Sequence, residues 1–119
     1  MITYNGETIV LPITEIVSEN DFFDYKAKYL GQSQEITPAR LPEDLAKEVA
    51  IIAKRVYELL KMTGFSRSEY IFKNGEPHLL EVNTVPGLTK ESILPQQAES
   101  AGISLEKLFE NAIEEAFKK

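Results

Sequence analysis

Four polar side chains gather at one end of a segment that reads as a β-hairpin: Arg67 and Glu69 on its first arm, Glu81 and Asn83 on its second. Between the arms lies the turn sequence Lys73-Asn74-Gly75-Glu76. A strand that faces both core and solvent alternates apolar and polar residues, so charge concentrated at the end away from the turn is a departure that needs a cause. Two carboxylates and an amide oxygen held together suit magnesium, a hard cation that takes oxygen ligands at about 2.0–2.1 Å and commonly shares its shell with substrate phosphates. Glu81 could bridge two such ions. Arg67 beside them offers a fixed cationic fork for a phosphoryl group in transfer. The set suggests phosphoryl chemistry. Spacing alone leaves a second reading open, in which Arg67, Glu69 and Glu81 form a cross-strand ion pair on a solvated face and Asn83 starts a turn.

Whether the four side chains share a face depends on the turn. A two-residue turn at Asn74-Gly75 opposes Glu69 to Leu80 and sends Glu81 to the other side of the ribbon. A three-residue loop, Lys73-Asn74-Gly75 with Gly75 left-handed, shifts the pairing by one and brings all four onto one side. The shared site requires the second, and the three-residue loop is the expectation. In that register Tyr70, Phe72, Leu80 and Val82 point the other way and form an apolar surface for a helix.

That helix is legible upstream. Pro42 sits where a first turn should begin, and Leu45, Val49, Ile52, Val56, Leu59 and Leu60 recur at helical spacing until Gly64. Before it, Met1 to Val17 reads as strand broken by a tight hairpin at Asn5-Gly6, and Ser18 to Pro38 as a loop of a length that is usually functional or mobile. After the second hairpin, a short helix is expected to follow Pro95 and end before Gly102. A last helix starts at the N-cap Ser104, with Leu105, Leu108, Phe109, Ala112, Ile113, Ala116 and Phe117 as its apolar stripe. Lys118 and Lys119 suit its negative end.

Composition narrows the chemistry further. The 119 residues suffice for one core, and 19 acidic against 13 basic residues give a net charge of -6, which disfavours nucleic acid as a partner. No cysteine is present, so neither a disulfide nor a zinc-thiolate site can form. The apolar stretches are interrupted every few residues by Lys, Glu or Arg, and neither a membrane span nor a signal peptide is expected.

The segment Leu79-Leu80-Glu81-Val82-Asn83-Thr84-Val85-Pro86-Gly87-Leu88-Thr89 closely resembles the signature of the D-alanine:D-alanine ligases, in which LLE-x-NT-x-PG-[ML]-T follows an R-x-[DE] strand. Three further blocks match at compatible spacing: Phe23-Asp24-Tyr25-Lys26-Ala27-Lys28-Tyr29, Ser92-Ile93-Leu94-Pro95 and Ala101-Gly102-Ile103-Ser104. The resemblance spans nearly the entire chain. It implies an α+β fold, part of the C-terminal lobe of an ATP-grasp enzyme, with a largely antiparallel sheet packed by helices.

The same resemblance implies roles. Glu81 bridges two magnesium ions, with manganese an alternative metal; Glu69 completes the first site and Asn83 the second, although many relatives carry Asp at the position of Glu69. Arg67 and the backbone N–H of Gly87 stabilise an oxyanion. Ser92, the N–H of Ile93 and Lys28 hold the carboxylate of the second D-alanine, and Tyr29 anchors the long loop, which closes over bound nucleotide. Phe22, Ile71 and Leu80 border the ATP site. His78, the single histidine, is expected to be structural. ATP and D-alanine are the implied substrates, the cytoplasm the implied location, peptidoglycan precursor synthesis the implied process and a homodimer the implied assembly. A Lys-Tyr pair such as Lys28-Tyr29 resembles alanine-accepting relatives, whereas lactate-accepting ones tend to carry His there. D-lactate- or D-serine-accepting ligases and a non-catalytic interaction module are the rival readings. The resemblance also implies that residues 1–119 form one domain-sized piece, without the lobes that bind the first D-alanine and supply phosphate-binding lysines. The expectation is that this piece is silent alone and exposes apolar surface.

Overall fold

The computed structural model describes residues 1–17 and 34–118. Strands β1 (Ile2–Tyr4) and β2 (Glu7–Ile9) form a hairpin, β3 (Glu15–Val17) pairs with β4 (Gln34–Ile36), and β5 (Arg67–Lys73) pairs with β6 (Glu76–Asn83). Three helices are described: α1 (Glu43–Leu59), α2 (Ile93–Ser100) and α3 (Leu105–Phe117). All three strand pairs are antiparallel and two-stranded, so the described residues form separate ribbons rather than one continuous sheet. Both long-hairpin turns use Asn-Gly with positive φ at each residue, 51° and 81° at Asn5-Gly6 and 54° and 78° at Asn74-Gly75. That backbone matches the right-handed twist of the flanking strands.

Two small cores hold the first and last of these ribbons. Ile2, Leu11, Leu94, Ala98 and Leu108 are buried together, joining the first hairpin to α2 and α3. Met1, Ala53 and Tyr57 form the second, with Val10, Met62 and Tyr70 packed against it. Met1 and Ser66 exchange two hydrogen bonds of 3.0 Å, which ties the start of β1 to the foot of β5. The Tyr57 hydroxyl donates to the Gly64 carbonyl at 2.8 Å and therefore accepts from Thr3 Oγ1 at 2.6 Å.

Several expectations are corrected. Gln34–Ile36 is strand, inside the stretch read as loop. Pro42 is the N-cap of α1 rather than a first-turn residue. The helix is stopped by Lys61, not Gly64: Lys61 adopts φ 53°, its N–H donates to the Glu58 carbonyl, and the Met62 N–H donates to that of Tyr57. This pair of bonds is a Schellman motif with lysine in the place glycine usually takes. The buried face of α1 is Val49, Ala53 and Tyr57, while Leu59 and Leu60 are exposed. Helix α2 begins at Ile93, so Pro95 lies within its first turn, where a missing N–H costs no helical bond.

Helix α3 is turned away from its most apolar side. Ser104 caps it, accepting from the Lys107 N–H at 3.2 Å as expected, but the buried positions are Leu108 and Asn111. Phe109, Ile113 and Phe117 are exposed. The cause is the backbone of the β1–β2 hairpin. Asn111 Nδ2 donates to the Thr3 carbonyl at 2.7 Å, Asn111 Oδ1 accepts from the Asn5 N–H at 3.1 Å, and Glu115 accepts from the Gly6 N–H at 3.0 Å. Leaving the Thr3 carbonyl and the Asn5 N–H, both partly buried, unpaired costs about 1–3 kcal/mol each, comparable to the gain from burying one large apolar side chain.

Candidate functional site

The β5–β6 ribbon reaches the expected site by an unexpected route. Its tip is the two-residue turn, with Lys73 opposite Glu76, Ile71 opposite His78 and Tyr70 opposite Leu79. The three-residue loop is therefore wrong. Continued without interruption, that ladder would set Leu80 against Glu69 and carry Glu81 to the other face. A β-bulge between Glu69 and Tyr70 absorbs Leu80, and the pairs beyond it are Glu69 with Glu81, Ser68 with Val82 and Arg67 with Asn83. Directly opposed residues of an antiparallel pair share a face, as do residues two apart on one strand, so Arg67, Glu69, Glu81 and Asn83 lie on one side. The asparagine and glycine that favour a two-residue turn are visible in the letters; the bulge that corrects its register has no such marker.

The other face differs from expectation too. Tyr70 joins the core beside α1 and pairs with Leu79, but Phe72 and Leu80, expected on the packed face with it, remain exposed, as does Leu79. Instead of closing on α1, the ribbon borders a cleft of about 800 Å³. Arg67, Glu69, Ile71, Leu80, Glu81 and Ile93 all line it.

Arg67 Nη2 donates to Glu69 Oε1 at 2.9 Å, and its side chain is only 12% exposed. The buried Arg67 Nε has no hydrogen-bond partner among the described residues. An arginine donor withdrawn from water and left unbonded is costly, and its presence beside a cleft fits an anionic ligand. Glu69 and Glu81 face each other across the ladder, a like-charge pairing that is unfavourable without a cation between or beside them. Arg67 offsets one of the two charges, and no ion pair involves Glu81 among the described residues. The donor set of Glu69, Glu81 and the Asn83 amide therefore fits a divalent cation whose remaining ligands come from elsewhere. The described residues contain no cluster of three or more His, Asp or Glu that would complete a shell alone. Asn83 does also start a turn: its Oδ1 accepts from the Val85 N–H at 2.9 Å, which orients the amide and leaves a second lone pair free.

Beyond Asn83 the chain runs through Pro86 and Gly87 to α2. A methyl group on Gly87 would lie 2.9 Å from Ser92 Oγ, so a side chain there would displace the Ser92 hydroxyl from its present position. Ser92 is the N-cap of α2 but makes no capping bond with its side chain. The third helical position is Pro95, which has no N–H to offer. The hydroxyl turns back instead, accepting from the Thr89 N–H at 3.2 Å and lying 2.6 Å from Thr89 Oγ1. The first N–H groups of α2, that of Ile93 among them, lie at a helix N-terminus, where the dipole favours an anion. Phe22, Lys28 and Tyr29 lie outside the described residues.

Three residues carry no assignment from the sequence. Thr89 stands in the signature segment without a role assigned to it, although its neighbours carry roles. Arg40 and Glu15, 25 residues apart, meet at the rim of the same cleft through bonds of 3.1 and 2.9 Å between side chains. Hydrogen bonds from the Arg40 side chain, then from its backbone N–H, hold the Glu15 carboxyl below the usual glutamate range.

A hairpin that sets carboxylates and an arginine along one cleft, followed by a glycine loop and an open helix start, defines an α+β lobe of the ATP-grasp class. The family model described as D-ala D-ala ligase C-terminus matches residues 1–114, and the chain belongs to that family. It is 67% identical over 114 residues to a D-alanine–D-alanine ligase of Flavobacterium johnsoniae and 60% identical over 116 residues to one of Christiangramia forsetii. Those alignments cover 96% and 98% of this chain but 35% and 36% of the relatives, so the chain spans about a third of their length. Among solved structures, the ATP complex of a Bacillus anthracis D-alanine–D-alanine ligase matches with a TM-score of 0.76 at 33% identity, covering 91% of this chain and 34% of that one. The VanG D-Ala:D-Ser ligase of Enterococcus faecalis matches with 0.75 at 31% identity, covering 94% and 33%. No helix among the described residues is long and apolar enough to cross a membrane.

Proposed function

We propose that these residues form the metal-binding and acceptor-binding lobe of an ATP-dependent ligase that joins two D-alanines. The observation that carries this reading is the bulged register, which sets Glu69 opposite Glu81 and Arg67 opposite Asn83 on one face of the ribbon. In the reaction, a carboxylate oxygen of the first D-alanine attacks the γ-phosphorus of ATP and ADP departs. The amine of the second D-alanine then attacks the acyl carbon, and inorganic phosphate leaves with the bonding pair. Glu69, Glu81 and Asn83 would hold magnesium, which when bound would supply neutralisation of the phosphate charge.

The chain's own groups act around that centre. Arg67, already fixed by Glu69, presents its remaining donors to the transferring phosphoryl group and to the oxyanion formed at the acyl carbon. The Gly87 N–H is the second donor to that oxyanion. Ser92, the N–H of Ile93 and Lys28 hold the acceptor's carboxylate at the start of α2, and Tyr29 belongs to the same acceptor site. Ile71 and Leu80, both exposed in the cleft, border the nucleotide together with Phe22. D-Alanine is favoured over D-serine as acceptor because the 67% identity is to a ligase named for alanine. The reading extends to peptidoglycan precursor synthesis in the cytoplasm by a homodimer, in which other lobes bind the first D-alanine and the ATP phosphates. Residues 1–119 alone then release no ADP.

The test is made in the full-length ligase that contains these residues. Arg67→Ala lowers kcat about 10²–10³-fold, the usual cost of one oxyanion donor. Glu81→Gln weakens the response to magnesium at fixed ATP. Unchanged kcat in the first variant and an unchanged magnesium titration in the second would remove the reading. Product analysis with D-alanine, D-serine and D-lactate mixed decides the acceptor.

A further inference from the structure

We propose that Thr89 is a positioning residue whose N–H and hydroxyl can together fill both lone pairs of the Ser92 hydroxyl, so that Ser92 turns its proton outward to an acceptor-only group such as a carboxylate at the start of α2. The inference rests on the reading that Ser92 meets the carboxylate of the second substrate. It assigns a role to a residue that has none there.

The geometry is a closed ring between two residues. The Ser92 N–H donates to the Thr89 carbonyl at 2.9 Å, the Thr89 N–H donates to Ser92 Oγ at 3.2 Å, and the two hydroxyl oxygens lie 2.6 Å apart. A serine hydroxyl has one proton and two lone pairs. The Thr89 N–H occupies one lone pair. If the Thr89 hydroxyl donates into the other, Ser92 has no accepting capacity left and its own proton is released to point outward. If Ser92 donates to Thr89 instead, no proton remains for a ligand. A carboxylate brings only acceptor atoms, so it selects the first arrangement. The donated bond also polarises the Ser92 hydroxyl and strengthens its outward bond. Glycine at position 87 leaves the Ser92 hydroxyl room to keep this position, since a methyl group there would lie 2.9 Å from Ser92 Oγ. The side chain has no competing duty, since Pro95 takes away the N–H that a capping serine would bind.

A purely structural role would be carried by the two bonds of the Thr89 backbone, one from the Ser92 N–H and one to Ser92 Oγ, which survive loss of the Thr89 hydroxyl. The experiment separates the roles by steady-state kinetics of the full-length ligase, with ATP saturating and D-alanine varied to resolve the acceptor site. Thr89→Val raises the acceptor KM about fivefold to tenfold, the equivalent of one hydrogen bond, while kcat and the KM for ATP change less than about twofold. Thr89→Ser, which keeps the hydroxyl, restores the acceptor KM. Thr89 is exposed, and Thr89→Ala, which drops the same hydroxyl, must agree with Thr89→Val. In the Thr89→Val/Ser92→Ala double variant the cost does not exceed that of Ser92→Ala. If Ser92→Ala raises the acceptor KM and Thr89→Val does not, the proposal is overturned while the ligase reading stands. If Ser92→Ala itself leaves that KM unchanged, the assignment of Ser92 falls first and the proposal with it. Equal losses in kcat and every KM, without rescue by serine, would likewise overturn it.

Discussion

Replacing Asn111 by alanine should destabilise the fold far more than replacing Ile113, although hydrophobic patterning of the last helix ranks them the other way. Asn111 is 5% exposed and spans two backbone groups of the first hairpin, at 2.7 Å to the Thr3 carbonyl and 3.1 Å to the Asn5 N–H. Its removal strands both groups in a partly buried setting. Taking about 1–2 kcal/mol for each, toward the lower half of the range because water can reach the edge of the hairpin, gives about 2–4 kcal/mol. Ile113 is 59% exposed, so truncation there removes little buried area and should stay within about 0.5 kcal/mol. Urea unfolding of the two variants, with slopes compared to confirm an unchanged transition, measures both quantities. Asn111→Asp is an informative third variant: it keeps an acceptor for Asn5 but faces the Thr3 carbonyl with an oxygen, and should be at least as damaging as alanine. Equal cost for Asn111→Ala and Ile113→Ala would refute the argument that backbone satisfaction orients this helix.

Other consequences can be checked separately. Lys61→Gly should raise unfolding free energy by about 1 kcal/mol, because glycine adopts the left-handed conformation of φ 53° without the side-chain penalty; a loss of stability in urea would count against the Schellman assignment. Tyr70→Phe should be neutral or stabilising by about 1 kcal/mol, since the buried hydroxyl has no hydrogen-bond partner among the described residues. Destabilisation by that much in thermal unfolding would show a missed partner. Glu15 should titrate below an ordinary glutamate by NMR, and Arg40→Ala should return it. Because its folded pKa is depressed, the small stabilisation from this exposed pair is present above the unfolded value of 4.5 and is lost as pH falls through the folded one.

Local chemistry was legible where a residue's own conformational preference decides the structure. The Asn5-Gly6 turn, the Ser104 cap and the amphipathic run of α1 appear where their residue types place them, within a few positions. Features that depend on groups distant in sequence were not. Lys61 ends α1 because the Schellman bonds close around it, and a lysine carries no mark of that. Helix α3 turns its polar Asn111 inward because a hairpin more than 100 residues earlier has backbone groups to satisfy. Gln34–Ile36 becomes strand only through its partner Glu15–Val17. For the site, the shared face of Arg67, Glu69, Glu81 and Asn83 was anticipated correctly from the wrong turn. The ladder needed one slipped residue, and a bulge supplies it as well as a longer loop would have.

That slip makes the ribbon a matter of parity. Glu69 and Glu81 stay together whenever the odd residue is stored somewhere between them, and the store can be the tip or the arm. Adding one residue to the tip and deleting Leu80 would cancel, whereas adding one at the tip with the bulge kept would demand a second irregularity or divide the two acids. The tip is thus free to change length only in step with an arm it never touches.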